Sequence, residues 1–281
     1  MRELKSVKYP IIDPTFMNIG HISIRWYSLM YLSGFTLVLL LSKYRNRGKP
    51  DPWRSLELID VVLYGGIGAI VGGRLGYMFF YDTSKFFHDP MSMIRTSEGG
   101  MSFHGGFLGV ILALVYVSHT TKRTLINVTD FLLPTFSIGL GLGRIGNFMN
   151  MELPGRITES LFGLHYPCAV VRSLNPSCKG AWEEATRHPS PLYQAFAEGV
   201  LLFAVVWWYS SKPRKPGQVS GVFLVGYGLA RSCTELFRAP DAHIGFVLFD
   251  TITMGQLLSL PMILAGSALL VRAHCQTAQA S

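Results

Sequence analysis

Seven apolar stretches divide the 281-residue chain, at 22–42, 57–80, 101–119, 127–148, 191–210, 219–237 and 252–272. Each is near the ~20 residues that an α-helix needs to cross a bilayer. Inside lipid every backbone N–H and C=O must be satisfied within the protein, which leaves helices or a closed barrel. Barrel strands alternate apolar and polar residues, and no such alternation runs through these stretches. The expected fold is therefore an all-α integral membrane protein with about seven transmembrane helices. Only 15% of residues are charged, against about 25% in soluble domains, which argues the same way. Disorder is excluded, because it needs low hydrophobicity and high charge. Residues 1–281 read as a single polytopic membrane domain without an internal repeat or a second soluble domain.

The net charge of +8 does not indicate nucleic-acid binding, because the basic residues cluster in short segments between apolar runs. Lys43, Arg45, Arg47, Lys49 and Arg54 fill the segment 43–56, Lys122 and Arg123 the segment 120–126, and Lys212, Arg214 and Lys215 the segment 211–218. These alternate with balanced loops at 81–100, 149–190 and 238–251. By the positive-inside rule the basic loops are cytoplasmic. Seven spans then put the N-terminus outside and the C-terminus inside. The mildly basic N-terminal tail, with Arg2, Lys5 and Lys8 against Glu3 and Asp13, opposes this and is outweighed by three loops. The first apolar run ends in SKYRNRGK without a small-residue cleavage site, so it reads as a span rather than a cleaved signal peptide.

The loop 149–190 is long and mixed, and reads as a small extracytoplasmic cap inserted in the membrane domain. It holds Cys168 and Cys178; the other cysteines are Cys233 and Cys275. No C-x-x-C pair occurs, so neither a zinc site nor a redox motif is expected. An extracytoplasmic loop permits a disulfide; two free thiols are the simpler reading and the one adopted.

Small residues recur every fourth position in the second span, as Gly68, Gly72 and Gly76 and again as Gly65, Ala69 and Gly73. Gly105 with Gly109, and Gly139 with Gly143, repeat the spacing. It lets helices approach closely in lipid, and packing alone accounts for it.

Charges within the apolar runs are Arg74, Asp130, Arg144, Glu198, Arg231 and Glu235. One Arg at a helix centre costs about 2.5–3.5 kcal/mol even on a lenient insertion scale. Structural pairing is enough for Arg74. Several arginines against few acids point instead to an anionic ligand, since the planar guanidinium fork matches phosphate and stays charged when buried. Tyr227, Arg231 and Glu235 are spaced by four and Arg238 follows by three, so all share one helical stripe. Arg144 and Asn147 share a face, with Asn150 and Glu152 just beyond. His104 stands among glycines at the head of the third span, as a proton acceptor or as a hydrogen-bonded structural histidine. Tyr27 and Tyr31 lie in the first span beside Trp26, which reads as an interfacial belt residue.

Residues 143–155 read GRIGNFMNMELPG. This closely resembles the prolipoprotein diacylglyceryl transferase signature, Gly-Arg-x-Gly/Ala-Asn-Phe-x-Asn-x-Glu-x-x-Gly. Tyr27, the element His104-Gly105-Gly106 and YGLARSCTELFRAPDAH at 227–243 resemble further landmarks of that family. One departure is visible before the fifth span. The family usually reads His-Pro-Ser/Thr-Gln-Leu-Tyr-Glu, where this chain has Pro191 and Gln194 in place of the glutamine and the glutamate.

The resemblance implies an enzyme of the bacterial plasma (inner) membrane, with its active site toward the outer leaflet. It would move the diacylglyceryl group of phosphatidylglycerol to the lipobox cysteine in a prolipoprotein signal peptide, forming a thioether and releasing glycerol phosphate. On this reading His104 is the candidate general base, and Arg144 and Arg231 stabilise the departing phosphate. Tyr27, Asn147, Glu152, Gly155, Tyr227, Glu235 and Arg238 would hold or position the substrates. Neither a metal nor a cofactor is expected. A small-molecule transporter and a lipid-binding factor without chemistry are the competing classes. The first is disfavoured by the lack of an inverted repeat, and the second does not explain His104 together with the signature.

Overall fold

Each of the seven apolar stretches falls largely on a helix in the computed structural model, which describes residues 7–20, 22–83, 88–89, 91, 100–240, 245–248 and 251–278. The helices are α1 (Trp26–Asn46), α2 (Ser55–Tyr81), α3 (Phe103–Thr120), α4 (Leu125–Met149), the single turn α5 (Cys168–Val171), α6 (Ser190–Tyr209), α7 (Gln218–Glu235) and α8 (Met254–Ala278). Ser55–Phe80, Leu125–Met149, Ser190–Tyr209 and Met254–Cys275 are long and apolar enough to cross a membrane, and His104–Thr120 is a shorter apolar helix. Phe80 is 73% exposed and Trp208 74%. Large apolar side chains standing open along helices of this length fit lipid as their solvent. α7 is less apolar because it carries Arg231, Thr234 and Glu235, all buried by protein.

The all-α expectation needs one correction, since two small sheets stand among the helices. Strands β2 (Thr15–Ile19) and β3 (Ile22–Arg25) form an antiparallel hairpin, turned with Gly20 at φ +60°. The first apolar stretch therefore starts as strand, and its helix begins only at Trp26. Four residues of alternation are too few to be read against the long apolar run that follows. The second sheet has the order β1 (Val7–Lys8), β4 (Leu164–Pro167), β5 (Trp182–Arg187), with β1 parallel and β5 antiparallel to β4.

The chain forms two compact units, one of residues 1–37 and 133–281, the other of 38–132. In the second, α2 and α3 meet backbone to backbone. A Cβ on Gly72 would strike the Gly105 carbonyl, one on Gly109 would strike that of Gly68, and one on Gly76 would stand 2.8 Å from Gly105 Cα. Gly65 faces open space, so only part of the fourfold repeat is spent on this contact. Ser102 accepts a hydrogen bond from Gly105 N at 3.2 Å and caps α3. Arg74 is buried and donates to Gly100 O at 3.1 Å. Among the basic residues of this unit, Arg123 pairs with Asp51 and stacks 4.8 Å over Trp53.

In the first unit the segment 149–190 folds onto the β1–β4–β5 sheet. Tyr9, Tyr166 and Val171 form its core, with Phe148 and Trp182 packed against them. Cys168 and Cys178 are joined in a disulfide, which corrects the expectation of two free thiols. Nothing local in the sequence brings the two together; the turn α5 and the start of β5 do, through Cys168 N bonding Ala181 O at 3.1 Å. Beside the bridge, buried Glu183 accepts from Arg187 at 2.6 and 2.8 Å and from Asn175 at 3.0 Å.

Two outcomes follow from this packing. Gly109→Leu should destabilise the protein by about 1–3 kcal/mol or more, while Gly65→Ala should be near neutral, both read by thermal unfolding in detergent. Burial opposes the Glu183 charge, but its hydrogen bonds from Arg187 and Asn175 hold the carboxyl below its usual value. A lowered folded-state pKa stabilises the fold above the unfolded value, and that support is lost as pH falls through the folded one. Hydrogen exchange at β5 amides should therefore accelerate as pH drops below about 4, corrected for intrinsic rates. Glu183→Gln should abolish that acid dependence.

Candidate active site

α4, α6 and α7 each send one charged side chain to a common point in the first unit. Glu198 of α6 has no exposed surface. Its Oε2 accepts from Arg144 Nε at 3.0 Å, and Arg144 Nη2 lies 3.0 Å from the same oxygen. Its Oε1 stands 3.7 Å from Arg231 Nη1 and 3.5 Å from the Thr234 hydroxyl. Tyr227 stands within electrostatic reach of Arg144 and Glu198. Arg231 also pairs through Nη2 with Glu235, which accepts from Arg238 at 3.0 Å and from Thr253 Oγ1 at 2.8 Å. Three guanidiniums thus face two carboxylates, and the cluster keeps a net positive charge. Arg231 Nη1 is buried and makes no hydrogen bond among the described residues.

The local reasons are legible. Residues four apart on a helix share a face, so Tyr227, Arg231 and Glu235 line one stripe of α7. Glu198 lies in a π-helical stretch, Ala195–Leu201, within α6. Such stretches are rare and occur often at functional sites. Next to it Gly199 meets α4, where an added Cβ would stand 2.6 Å from Gly141 Cα. Gly139, singled out by spacing, opposes Gly34 instead, and Gly143 faces open space.

The signature segment continues the site past the end of α4. Asn147 Nδ2 donates to Glu152 Oε2 at 2.7 Å and Asn150 Nδ2 to Oε1 at 3.2 Å. Tyr27 shares a hydroxyl contact of 3.1 Å with Tyr31, rests against Gly146, and is in electrostatic reach of Glu152 and Arg144. Gly155 donates to His188 O at 2.9 Å and forms a bridge with Arg238. A Cβ there would strike the His188 carbonyl and stand 2.6 Å from Phe237 O, so main-chain crowding accounts for glycine at 155.

Nine of the ten residues singled out from the sequence thus lie in the first unit, from Tyr27 to Arg238. The tenth, His104, lies in the second, as the exposed second residue of α3. The end of the 227–243 landmark, residues 241–243, lies outside the described residues. Sequence reasoning left out Glu198 and Thr253 as parts of the cluster. The cost of burying an acid was the available signal for Glu198; Thr253 gave none. It also left out His188, whose ring packs on Tyr193 and Phe237 and whose Nδ1 lies 3.2 Å from the Tyr193 hydroxyl. Burial pushes its imidazole below the usual value.

Comparison with known proteins bears on the chain as a whole. The profile of the family described as prolipoprotein diacylglyceryl transferase matches residues 14–272. The chain belongs to that family. A phosphatidylglycerol–prolipoprotein diacylglyceryl transferase of Pseudoalteromonas translucida is 44% identical over 275 residues, covering 98% of this chain and 97% of its own. One of Solidesulfovibrio magneticus is 47% identical over 264 residues, covering 94% and 96%. One of Coxiella burnetii is 45% identical over 258 residues, covering 92% and 94%.

Removing one partner of a buried pair strands the other charge, at a cost of about 3–5 kcal/mol. Glu198→Ala should lower stability by that order in a denaturant titration in micelles. Glu152→Ala, at an exposed residue, should cost far less.

Proposed function

We propose that this protein transfers the diacylglyceryl group of phosphatidylglycerol to the lipobox cysteine of a prolipoprotein. The cysteine sulfur attacks the glycerol carbon that carries the phosphate ester. A carbon–sulfur bond forms, the carbon–oxygen bond breaks, and the electron pair leaves with glycerol phosphate. The thiol proton goes to a general base, for which His104 is the candidate by residue type. An unassisted thiol, with pKa about 8.5, is mostly protonated at neutral pH.

The observation that carries this reading is the guanidinium pair on Glu198. Arg144 and Arg231 are pre-positioned from two helices, and Arg231 Nη1 still has a donor to offer. As the ester breaks, the phosphate gains negative charge. Fixed donors in an apolar surrounding stabilise that charge without reorganising. Glu235 and Arg238 position Arg231 on this reading, and Tyr227 positions Arg144. Tyr27, Asn147 and Glu152 hold the headgroup or the lipobox, while Gly155 fixes the main chain beside them.

The topology belongs to the same proposal. Seven spans, with the basic loops 43–56, 120–126 and 211–218 inside, put the N-terminus and the 149–190 cap outside. The Cys168–Cys178 disulfide supports this side for the cap, since disulfides persist in oxidising compartments. The protein is then one membrane domain of the bacterial inner membrane, acting at the outer leaflet without a cofactor.

Purified protein, phosphatidylglycerol and a lipobox peptide should yield a diacylglyceryl mass shift and free glycerol phosphate, and a Cys→Ser peptide should yield neither. Arg144→Lys and Arg231→Lys keep the charge but lose the planar fork, and should each cut turnover about 100-fold or more. Near-native turnover in both would overturn the clamp. Lipid binding or flux without product would favour a binder or a transporter.

A further inference from the structure

Gln194 has no exposed surface, and neither its amide nitrogen nor its amide oxygen has a hydrogen-bond partner among the described residues. A buried amide with both ends empty is unfavourable in a native fold unless something else completes it. Its surroundings follow from its neighbours on α6. Residues 190, 194 and 198 are spaced by four and share a face. Ser190 Oγ donates to Leu153 O at 2.7 Å, and Glu198 holds Arg144. Both neighbours on this stripe thus touch the signature segment, at Leu153 and Arg144, and Gln194 lies between them on the same stripe. It lies about one helical turn from Glu198, on the side of Ser190 and Leu153.

The position also departs from the family pattern, which usually has glutamate there. A carboxylate and an amide of equal length share an acceptor oxygen. The amide adds a neutral donor, which suits a partner that is itself both donor and acceptor. A hydroxyl is such a partner; a phosphate, which only accepts, is already served by the arginines.

We propose that Gln194 reads the free hydroxyls of the glycerol headgroup, one helical turn beyond the clamp that takes the phosphate, and so sets the preference for phosphatidylglycerol over phospholipids whose headgroups lack hydroxyls. This rests on the transferase reading above. Gln194 is a specificity residue in it and takes no part in bond breaking.

The test is a competition in one vessel. The full-length protein and a lipobox peptide are given phosphatidylglycerol and phosphatidylpropanol with acyl chains of different mass. The ratio of the two peptide products gives the ratio of kcat/KM and does not depend on the folded fraction. The native chain should favour phosphatidylglycerol about tenfold or more. Gln194→Leu should bring the ratio within about twofold of unity, with an equal or higher thermal midpoint because a buried polar group has gone. Gln194→Glu keeps the acceptor and should retain most of the preference, and the shorter Gln194→Asn should lose most of it. An unchanged ratio in Gln194→Leu and Gln194→Asn would overturn the assignment, assigning the amide to an internal water or to the peptide backbone. A native ratio near unity would overturn it as well. No product from either lipid would overturn the transferase reading, and this assignment with it.

Discussion

A carboxylate without exposed surface, Glu198, holds a guanidinium from each of two other helices. In an apolar bundle none of these charges is tolerable alone, since an unpaired arginine or acid at membrane depth costs several kcal/mol. Pairing therefore dictates where α4, α6 and α7 come together. The Gly141–Gly199 contact makes it possible. With no side chain between the two backbones, the carboxylate next to Gly199 reaches the arginine one turn beyond Gly141. The π-helical stretch holds both Glu198 and Gly199, so close approach and ion pair belong to one interface.

The second carboxylate has a different task. Glu235 takes Arg231 from the other side and is fixed in turn by Arg238 and Thr253. Gly255, at the head of α8, leaves no room there, because a Cβ would lie 2.7 Å from Glu235 Cδ and 2.9 Å from Arg231 Nη2. Arg231 is thus gripped at one nitrogen by Glu235, while Nη1 lies between Glu198 and an unfilled hydrogen bond. This asymmetry suits an arginine that must stay oriented and still accept an anion.

What the sequence made legible follows one physical line. Hydropathy and fourfold spacing are local, and they located the helices, the Gly68–Gly72–Gly76 contact and the Tyr227–Arg231–Glu235 stripe. Pairings between distant segments have no local signature. Glu198 was visible as a costly charge, but neither of its arginine partners could be assigned to it. The Cys168–Cys178 bridge depends on how a polar loop folds back, which spacing does not encode. The strands at 7–8, 15–19 and 22–25 are too short to compete with the apolar run beside them, and were absorbed into it or passed over. Gln194 stands out in the sequence only as a departure from the family pattern, and the unpartnered amide is a property of the folded chain.

The cap and the charged cluster are joined by main chain. Gly155 N bonds His188 O at 2.9 Å, His188 N bonds Arg156 O at 3.0 Å, and Arg156 N bonds Phe237 O at 2.9 Å. The three strands of that knot are the exit of α4, the entry of α6 and the exit of α7, the helices that carry Arg144, Glu198 and Arg231. Backbone hydrogen bonds allow little play, so tying these ends fixes the spacing of the side chains a few turns away. An electrostatic site is effective to the extent that its donors are already in place when charge develops. The disulfide and the Glu183–Arg187 pair stiffen the strand that enters the knot. The cap thereby acts on the charged cluster through geometry, without contributing a charge to it.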